Sequence, residues 1–204
     1  MEKILFDYIE KYIALSEEEK QAIIDLSVFK TFEQDAILLR EGQVSNEGFF
    51  VVKGCIRCYY MIDGEEKTTA FYTEGEIFAP LCSITGQPSE YFVACVEETI
   101  LAVSTPEIEQ ISFEKFPRFE SLCRMISEEK VARNQATFDE FKTSSPEQRY
   151  LTLLETRYDL VQRVPQYQLA SFLGITPQSL SRMRGRLQKR SEDGPEANKL
   201  YAAL

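Results

Sequence analysis

The stretch YQLASFLGITPQSLSRMRGRL, residues 167–187, carries three arginines and no acidic residue, in a chain whose formal net charge is −10. Widened to residues 160–190, the window holds six basic residues (Arg163, Arg182, Arg184, Arg186, Lys189 and Arg190) and still no acid, which leaves −16 on the rest. Such segregation marks a surface for a polyanion on a body that repels one. Gly174 stands at the centre. Before it, residues 166–173 read as a short amphipathic helix with Leu169, Ala170 and Leu173 inward, and Ala170 is small where two crossing helices approach. Gly174 supplies the positive φ of a tight interhelical turn, and Ile175 plugs the gap behind it. Thr176 followed by Pro177 is an N-cap with proline at the first helical position. Leu180, Met183 and Leu187 then form a buried stripe, which leaves Gln178, Ser181, Arg182 and Gly185 outward.

Each slot of a helix-turn-helix is filled by a suitable residue. The first turns of its second helix would meet base edges in the major groove. There Gln178 is suited to adenine and Arg182 to guanine. Thr176 and Ser179 at the helix start, with Arg184 and Arg186 along its flank, are placed for phosphates. The bland alternative is a helical hairpin whose arginines only solvate a surface. The filled turn, the charge segregation and the exposed Gln178/Arg182 pair favour DNA over it.

Outward from this segment the chain changes character twice. Residues 2–28 read as helices: Ile4, Leu5, Tyr8, Ile9 and Tyr12 recur at helical spacing, and Ser16 to Glu19 fit a capping box. From Phe29 to about Ser104, short β-branched and aromatic runs are broken by glycines roughly ten residues apart, a pattern of antiparallel strands. Asp63-Gly64 is a hairpin signal, and GFFVVKGCIRCYYMI, residues 48–62, reads as strand. After Pro106 a long helical segment, about residues 119–142, places Leu122, Met125, Ile126, Ala132 and Ala136 on roughly one side. It either covers its own barrel or joins two copies of the chain; its length favours the second. Ser145-Pro146-Glu147-Gln148 has the form of a capping box that opens a small helical domain.

The 204 residues suffice for real cores, and 44% apolar with 27% charged residues is an ordinary globular composition. No apolar run approaches the roughly 20 residues of a bilayer span, and the charged N-terminal stretch reads as no signal peptide. The expected location is the cytoplasm, away from membranes. Cys55, Cys58, Cys82, Cys95 and Cys123 make no secreted disulfide framework. The two thiols of Cys55-Ile-Arg-Cys58, three apart on a strand, point to opposite faces and are expected to hold no metal. The chain has no histidine, which excludes His-dependent triads and zinc sites. No nucleophile–base pair or phosphate-cradling loop is evident, so no enzyme and no cofactor is implied.

A β-barrel, a long helix and a C-terminal helix-turn-helix, in that order over about residues 10–190, resemble the Crp/Fnr transcription regulators. The most specific part is PEQRYLTLLETRYDLVQRVPQYQLASFLGITPQSLSRMRGRL, residues 146–187, whose LASFLGITPQSLSRMR unit, residues 169–184, looks like that of a branch of small regulators. The resemblance implies an α+β chain. An antiparallel cyclic-nucleotide-binding-like jelly roll with N-terminal helices would occupy residues 1–117, and a dimerisation helix and hinge 118–143. The DNA-binding domain would span 144–190, with a polar tail over 191–204. It further implies a homodimer, with Leu122, Met125 and Ile126 in the interface, that reads a palindromic operator in double-stranded DNA and engages RNA polymerase. The chain after Leu187 is shorter than the family's wing hairpin, so the two helices are expected to carry DNA contact alone.

This sequence departs from the cyclic-nucleotide binders. Ala79-Pro80 stands where their Gly-Glu pair falls, and Gln87-Pro88-Ser89-Glu90 brings no arginine for the phosphate. Residues 68–114 contain eight glutamates and no Lys or Arg. An effector at Phe78, Leu81, Cys82 and Tyr91 would therefore be small and neutral or apolar, and a barrel filled by its own side chains is nearly as well supported. The rival to DNA regulation is a ligand- or protein-binding barrel whose helical tail docks a partner protein.

Overall fold

The structure, a computed structural model, describes residues 1–192. The tail expected over 191–204 lies, from residue 193 on, outside the described residues. The chain divides into two units, residues 1–61 with 70–132, and residues 62–69 with 133 onward.

Eight short strands form two four-stranded sheets, ordered β1-β8-β3-β6 and β2-β7-β4-β5. These are β1 (Val28–Phe32), β2 (Ile37–Leu39), β3 (Gly48–Lys53), β4 (Ile56–Ile62), β5 (Glu65–Tyr72), β6 (Ile77–Phe78), β7 (Phe92–Cys95) and β8 (Thr99–Ser104). Pairing is antiparallel for β1 with β8, β3 with β8 and β6, and β7 with β2 and β4. This is the expected jelly roll. Alternation along β3 sorts its side chains. Phe49 and Val51 enter the inter-sheet core with Leu39, Ile56, Val93 and Leu101. Phe50 and Val52 face the other way, against Leu5 and Tyr8.

The run over residues 48–62, read as one strand, is two strands in different sheets. Gly54 and Cys55 form the corner, because Gly54 has φ +99° and a Cβ there would meet the Glu98 carbonyl oxygen at 2.7 Å. Only glycine fits so close to a neighbouring backbone. Cys55 thus precedes β4 rather than lying within it, and strand geometry does not relate it to Cys58. Both are buried, as are Cys82 and Cys95. Burial pushes the Cys58 thiol up to about 12 and Cys95 to about 11, so they behave as small hydrophobes. Among the described residues no cluster of His, Cys, Asp and Glu could hold a metal ion, and no helix is long and apolar enough to cross a membrane. At the β4–β5 turn Asp63 and Gly64 both have positive φ, as a type I′ hairpin requires.

Helices α1 (Glu2–Ile9), α2 (Glu17–Leu26) and α4 (Pro106–Lys115) belong to the first unit, with a short α3 (Leu81–Thr85) after β6. The long α5 runs Arg118–Thr143. Ser16 caps α2 in the expected capping box with Glu19. Glu19 has a second task that sequence did not reveal. Its carboxylate is buried and takes both Nε and Nη2 of Arg118, each at 2.5 Å, while Nη2 also donates to the Ala14 carbonyl. Burial alone would raise the Glu19 pKa. The Arg118 guanidinium and the Ser16 amide and hydroxyl outweigh it and hold the carboxyl below its usual range.

This pair fastens the start of α5 to α2. A depressed carboxyl pKa contributes stability that is present above the unfolded-state value, about pH 4.3, and lost as pH falls through the folded value. Glu19→Gln should therefore cost about 1–3 kcal/mol at pH 7. In urea unfolding followed by circular dichroism, the gap from the parent chain should shrink as pH is lowered below about 4. A gap that stays constant with pH would refute the ion-pair account.

Candidate nucleic-acid interface

The second unit holds α6 (Pro146–Thr156), α7 (Tyr158–Arg163), α8 (Gln166–Phe172) and α9 (Pro177–Glu192). The Ser145–Gln148 capping box opens α6 with Pro146 in its first turn. Apolar spacing buries Tyr150, Leu153 and Leu154 of α6 and Leu160 and Val161 of α7. Leu169 and Ala170 of α8 are fully buried, and so are Leu180 and, nearly, Met183 and Leu187 of α9. At about 1.5–3 kcal/mol for each large side chain removed from water, this stripe fixes the helix pair. Ala170 has no bulk beyond Cβ, which admits the close crossing.

The turn between α8 and α9 closes through backbone bonds: the Gly174 amide to the Ser171 carbonyl and the Ile175 amide to the Ala170 carbonyl, both at 3.0 Å. Gly174 has φ +72°. Thr176 Oγ1 then accepts the Ser179 amide at 3.2 Å and donates to Ser179 Oγ, so these two side chains form the N-cap of α9. Pro177, Gln178, Ser181 and Arg182 lie together around a shallow, open depression on the outer face. Arg182 Nη2 comes within 3.5 Å of Ser179 Oγ, a weak contact that leaves the guanidinium largely uncommitted. Arg186 is exposed and meets Glu147 of α6 at 3.4 Å, an exposed pair worth little. Arg184 is half-buried on the inner edge of the helix. There its charge partly opposes the rise that burial gives the Tyr150 hydroxyl pKa. Of the residues of this segment expected to meet DNA, Pro177 and Ser181 among them, Gln178, Ser181 and Arg182 share one open face with Pro177, Thr176 and Ser179 cap the helix, Arg186 is exposed one turn beyond Arg182, and Arg184 is half-buried.

Sequence reading missed Arg149. Its Nη1 donates to the carbonyls of Phe141 (3.1 Å) and Ser144 (2.7 Å), its Nη2 to that of Leu173 (2.8 Å), and its guanidinium stacks on the Phe141 ring at 4.2 Å. One side chain thus joins the end of α5, the hinge and the turn of the helix-turn-helix. Nothing in the sequence distinguishes it from a solvated arginine on α6.

The residues expected at an effector pocket are divided. Phe78 and Cys82 are core side chains between the sheets. Tyr91 is half-buried and its hydroxyl accepts the Leu81 amide at 3.0 Å. The Leu81 side chain, 62% exposed, does not join them. A cation does reach this end of the barrel from α5: Lys130 Nζ lies 5.1 Å from the centre of the Tyr72 ring, which packs on Phe78. Burial lowers the Lys130 pKa, against the opposing pull of Glu76 and Cys58. Of the residues expected at a dimer seam, Leu122 is buried within its own chain, Ile126 is half-buried and Met125 is exposed. From 131 to 140 every residue of α5 is exposed, Val131 at 70% and Phe138 at 56% included.

Residues 29–114, from β1 to α4, match the family described as the cyclic nucleotide-binding domain. Two curated relatives, the global nitrogen regulators of Synechocystis sp. and Nostoc sp., are each 29% identical over 85 residues, 41% of this chain and 38% of theirs. The match therefore spans less than two fifths of those relatives. Among solved structures, a CooA mutant from Carboxydothermus hydrogenoformans superposes with a TM-score of 0.65 at 18% identity, covering 83% of this chain and 79% of that one. FixK2 from Bradyrhizobium japonicum gives 0.62 at 17% identity, over 80% and 85%. The catabolite activator protein of Thermus thermophilus gives 0.54 at 16%, over 88% and 86%. At these identities the structures establish a shared fold.

The turn yields a direct test. A Cβ at Gly174 would lie 3.6 Å from Phe141 Cζ and 3.7 Å from Arg149 Nη2, both ordinary contacts. Gly174→Ala should therefore cost only the left-handed backbone penalty, about 1–2 kcal/mol, and Gly174→Asn less. Denaturant unfolding of the two variants checks the order; equal losses would show that contact rather than backbone conformation sets the constraint.

Proposed function

We propose, from a chain with the fold of the Crp/Fnr regulators and a cyclic nucleotide-binding domain at residues 29–114, that it is a sequence-specific DNA-binding transcription regulator. It acts as a homodimer on a palindromic operator in the cytoplasm, without cyclic AMP. The observation that carries this reading is the outer face of α9: Gln178, Ser181 and Arg182 exposed together at a capped helix start, on an acid-free segment of an acidic chain. The relatives' names, a global nitrogen regulator and a catabolite activator protein, fit the same class. RNA polymerase is the expected protein partner at a promoter.

In this reading α9 enters the major groove by its first turns. Arg182, held only weakly by Ser179, is free to make two bonds to guanine, and Gln178 to adenine. The N-terminus of α9, with its Thr176–Ser179 cap, faces a phosphate. Arg186 leaves its exposed partner Glu147 for the backbone at little cost; Arg184, half-buried on the inner edge of α9, is the less accessible of the two phosphate candidates. Two such helices need a joint about one DNA turn apart. The exposed half of α5, from Met125 through Val131 to Phe138, offers it, with Ile126 at the edge; Leu122 serves the chain's own core.

The base-reading and phosphate groups should separate in binding assays. Arg182→Ala should lose about 1–3 kcal/mol of discrimination at one base pair of each half-site and keep its non-specific affinity. Arg186→Ala should weaken all sequences alike and flatten the salt dependence by about one ion per subunit. Intact operator preference in Arg182→Ala would shift support to a tail that docks a partner protein.

Assembly is tested by light scattering at a concentration on the order of tens of micromolar. The parent chain should run as a dimer there, and Ile126→Glu should be monomeric and bind operator weakly. A monomeric parent chain would defeat the palindrome reading.

Cyclic AMP lacks the arginine that would answer its phosphate, since residues 68–114 hold no Lys or Arg. Lys130 sits over Tyr72 with a lowered pKa, a poor substitute. Isothermal calorimetry should register no binding of cyclic AMP at micromolar concentration. A Kd in that range would overturn this part of the reading.

A further inference from the structure

The sheet β1-β8-β3-β6 has two faces, and the cavity of interest lies on the one turned away from the barrel core. Its floor is Phe50 and Ala102; Leu5 of α1, Ile23 of α2, Phe113 of α4 and Leu122 of α5 line its sides, and it is a half-open pocket of about 270 Å³. Phe78 and Cys82, expected to line an effector site, belong to the core between the two sheets, on the sheet's other face. Protein interiors fill to crystal-like density, with few voids larger than a water molecule. This half-open recess between a sheet and four helices, its lining residues all in one unit, is far larger than such a void.

Its chemistry is narrow. Among the described residues no lysine or arginine lines it. Two of its hydroxyls are turned to their own helical backbone: Ser27 Oγ donates to the Ile23 carbonyl at 2.6 Å, and Ser112 Oγ to that of Ile108 at 3.0 Å. Glu109, the one acid in its wall among the described residues, accepts Ser104 Oγ at 3.3 Å. Beside it Cys123 is held above the usual thiol range by partial burial and by the Glu109 charge. The walls therefore offer apolar contact, reject an anionic head group and leave few polar groups to orient a ligand. An apolar cavity of about 150 Å³ suffices for benzene.

We propose that this cavity is a binding site for a small, uncharged, apolar molecule of about ten non-hydrogen atoms, aliphatic or aromatic, distinct from the barrel interior. The inference stands on the first unit alone, whether or not α9 reads DNA.

The test uses the full chain at pH 7 with 1-octanol as probe and octanoate as its anionic counterpart. Octanol should bind one per chain by calorimetry, raise the thermal midpoint, and slow N-ethylmaleimide modification of Cys123, the exposed cysteine at the wall. Octanoate should bind about tenfold more weakly or worse. Ala102→Ile and Ser112→Phe, which grow into the cavity from opposite walls, should each cost octanol about tenfold in affinity, the worth of roughly two displaced methylene groups. If Ala102→Ile fails to fold, Ser112→Phe on the half-exposed face of α4 decides alone. Absence of octanol binding, equal binding of octanoate, or undiminished affinity in a folded filled variant would each overturn the proposal.

Discussion

The close crossing of α8 and α9 is the constraint on which the proposed interface rests. Ala170 of α8 and Leu180 of α9 each have no exposed surface, and a larger residue at 170 would lift one helix from the other. Once the crossing is made, the chain must reverse within Leu173–Ile175. That demands the left-handed backbone at Gly174 and leaves carbonyls pointing out of the turn. Arg149 answers one of them, at Leu173, and two more at the end of α5 and the hinge. The outward positions of Gln178, Ser181 and Arg182 follow from the inward positions of Leu180 and Met183 by helical geometry.

Local chemistry was what the sequence made legible. Ser16 and Ser145 cap helices because their hydroxyls reach the third amide on, and Asp63-Gly64 turns because both residues tolerate positive φ; these needed no knowledge of the remainder of the chain. The α8–α9 pair was legible for the same reason, since its turn, cap and stripe all lie within about twenty residues. The corner at Gly54 was not, because the need for glycine comes from Glu98 and Thr99, more than forty residues on. Arg149 and the Glu19–Arg118 pair share that difficulty. Each looks like a solvated surface charge until tertiary packing brings its partners, and Arg118 lies 99 residues from Glu19.

The candidate site shows the same divide. Helical periodicity puts Arg182 outward, where the structure has it exposed, but it does not tell that Arg184 lies half-buried near Tyr150 or that Arg186 meets Glu147. In the barrel, Phe78, Leu81, Cys82 and Tyr91 are expected at an effector pocket unless the barrel is filled by its own side chains; a five-residue helix, α3, turns Leu81 to solvent and Cys82 to the core. The open space lies instead behind the sheet, where walls are supplied by segments from both ends of the first unit. No local pattern encodes a gap of that kind, because a cavity is a property of what several distant segments fail to fill.

The distribution of thiols has a practical consequence. Four cysteines are buried, at the β3–β4 corner, in β4, in α3 and in β7, and the fifth, Cys123, is exposed. Buried thiols react only when their surroundings open, at a rate set by the free energy of that opening. A thiol reagent applied to the native chain thus counts one fast site and then reads four separate clocks, each timing a different part of the jelly roll. Because residues 62–69 and 133 onward contain no cysteine, the clocks are silent about the helix-turn-helix unit. The natural sequence is in this respect already labelled for following one half of the molecule without the other.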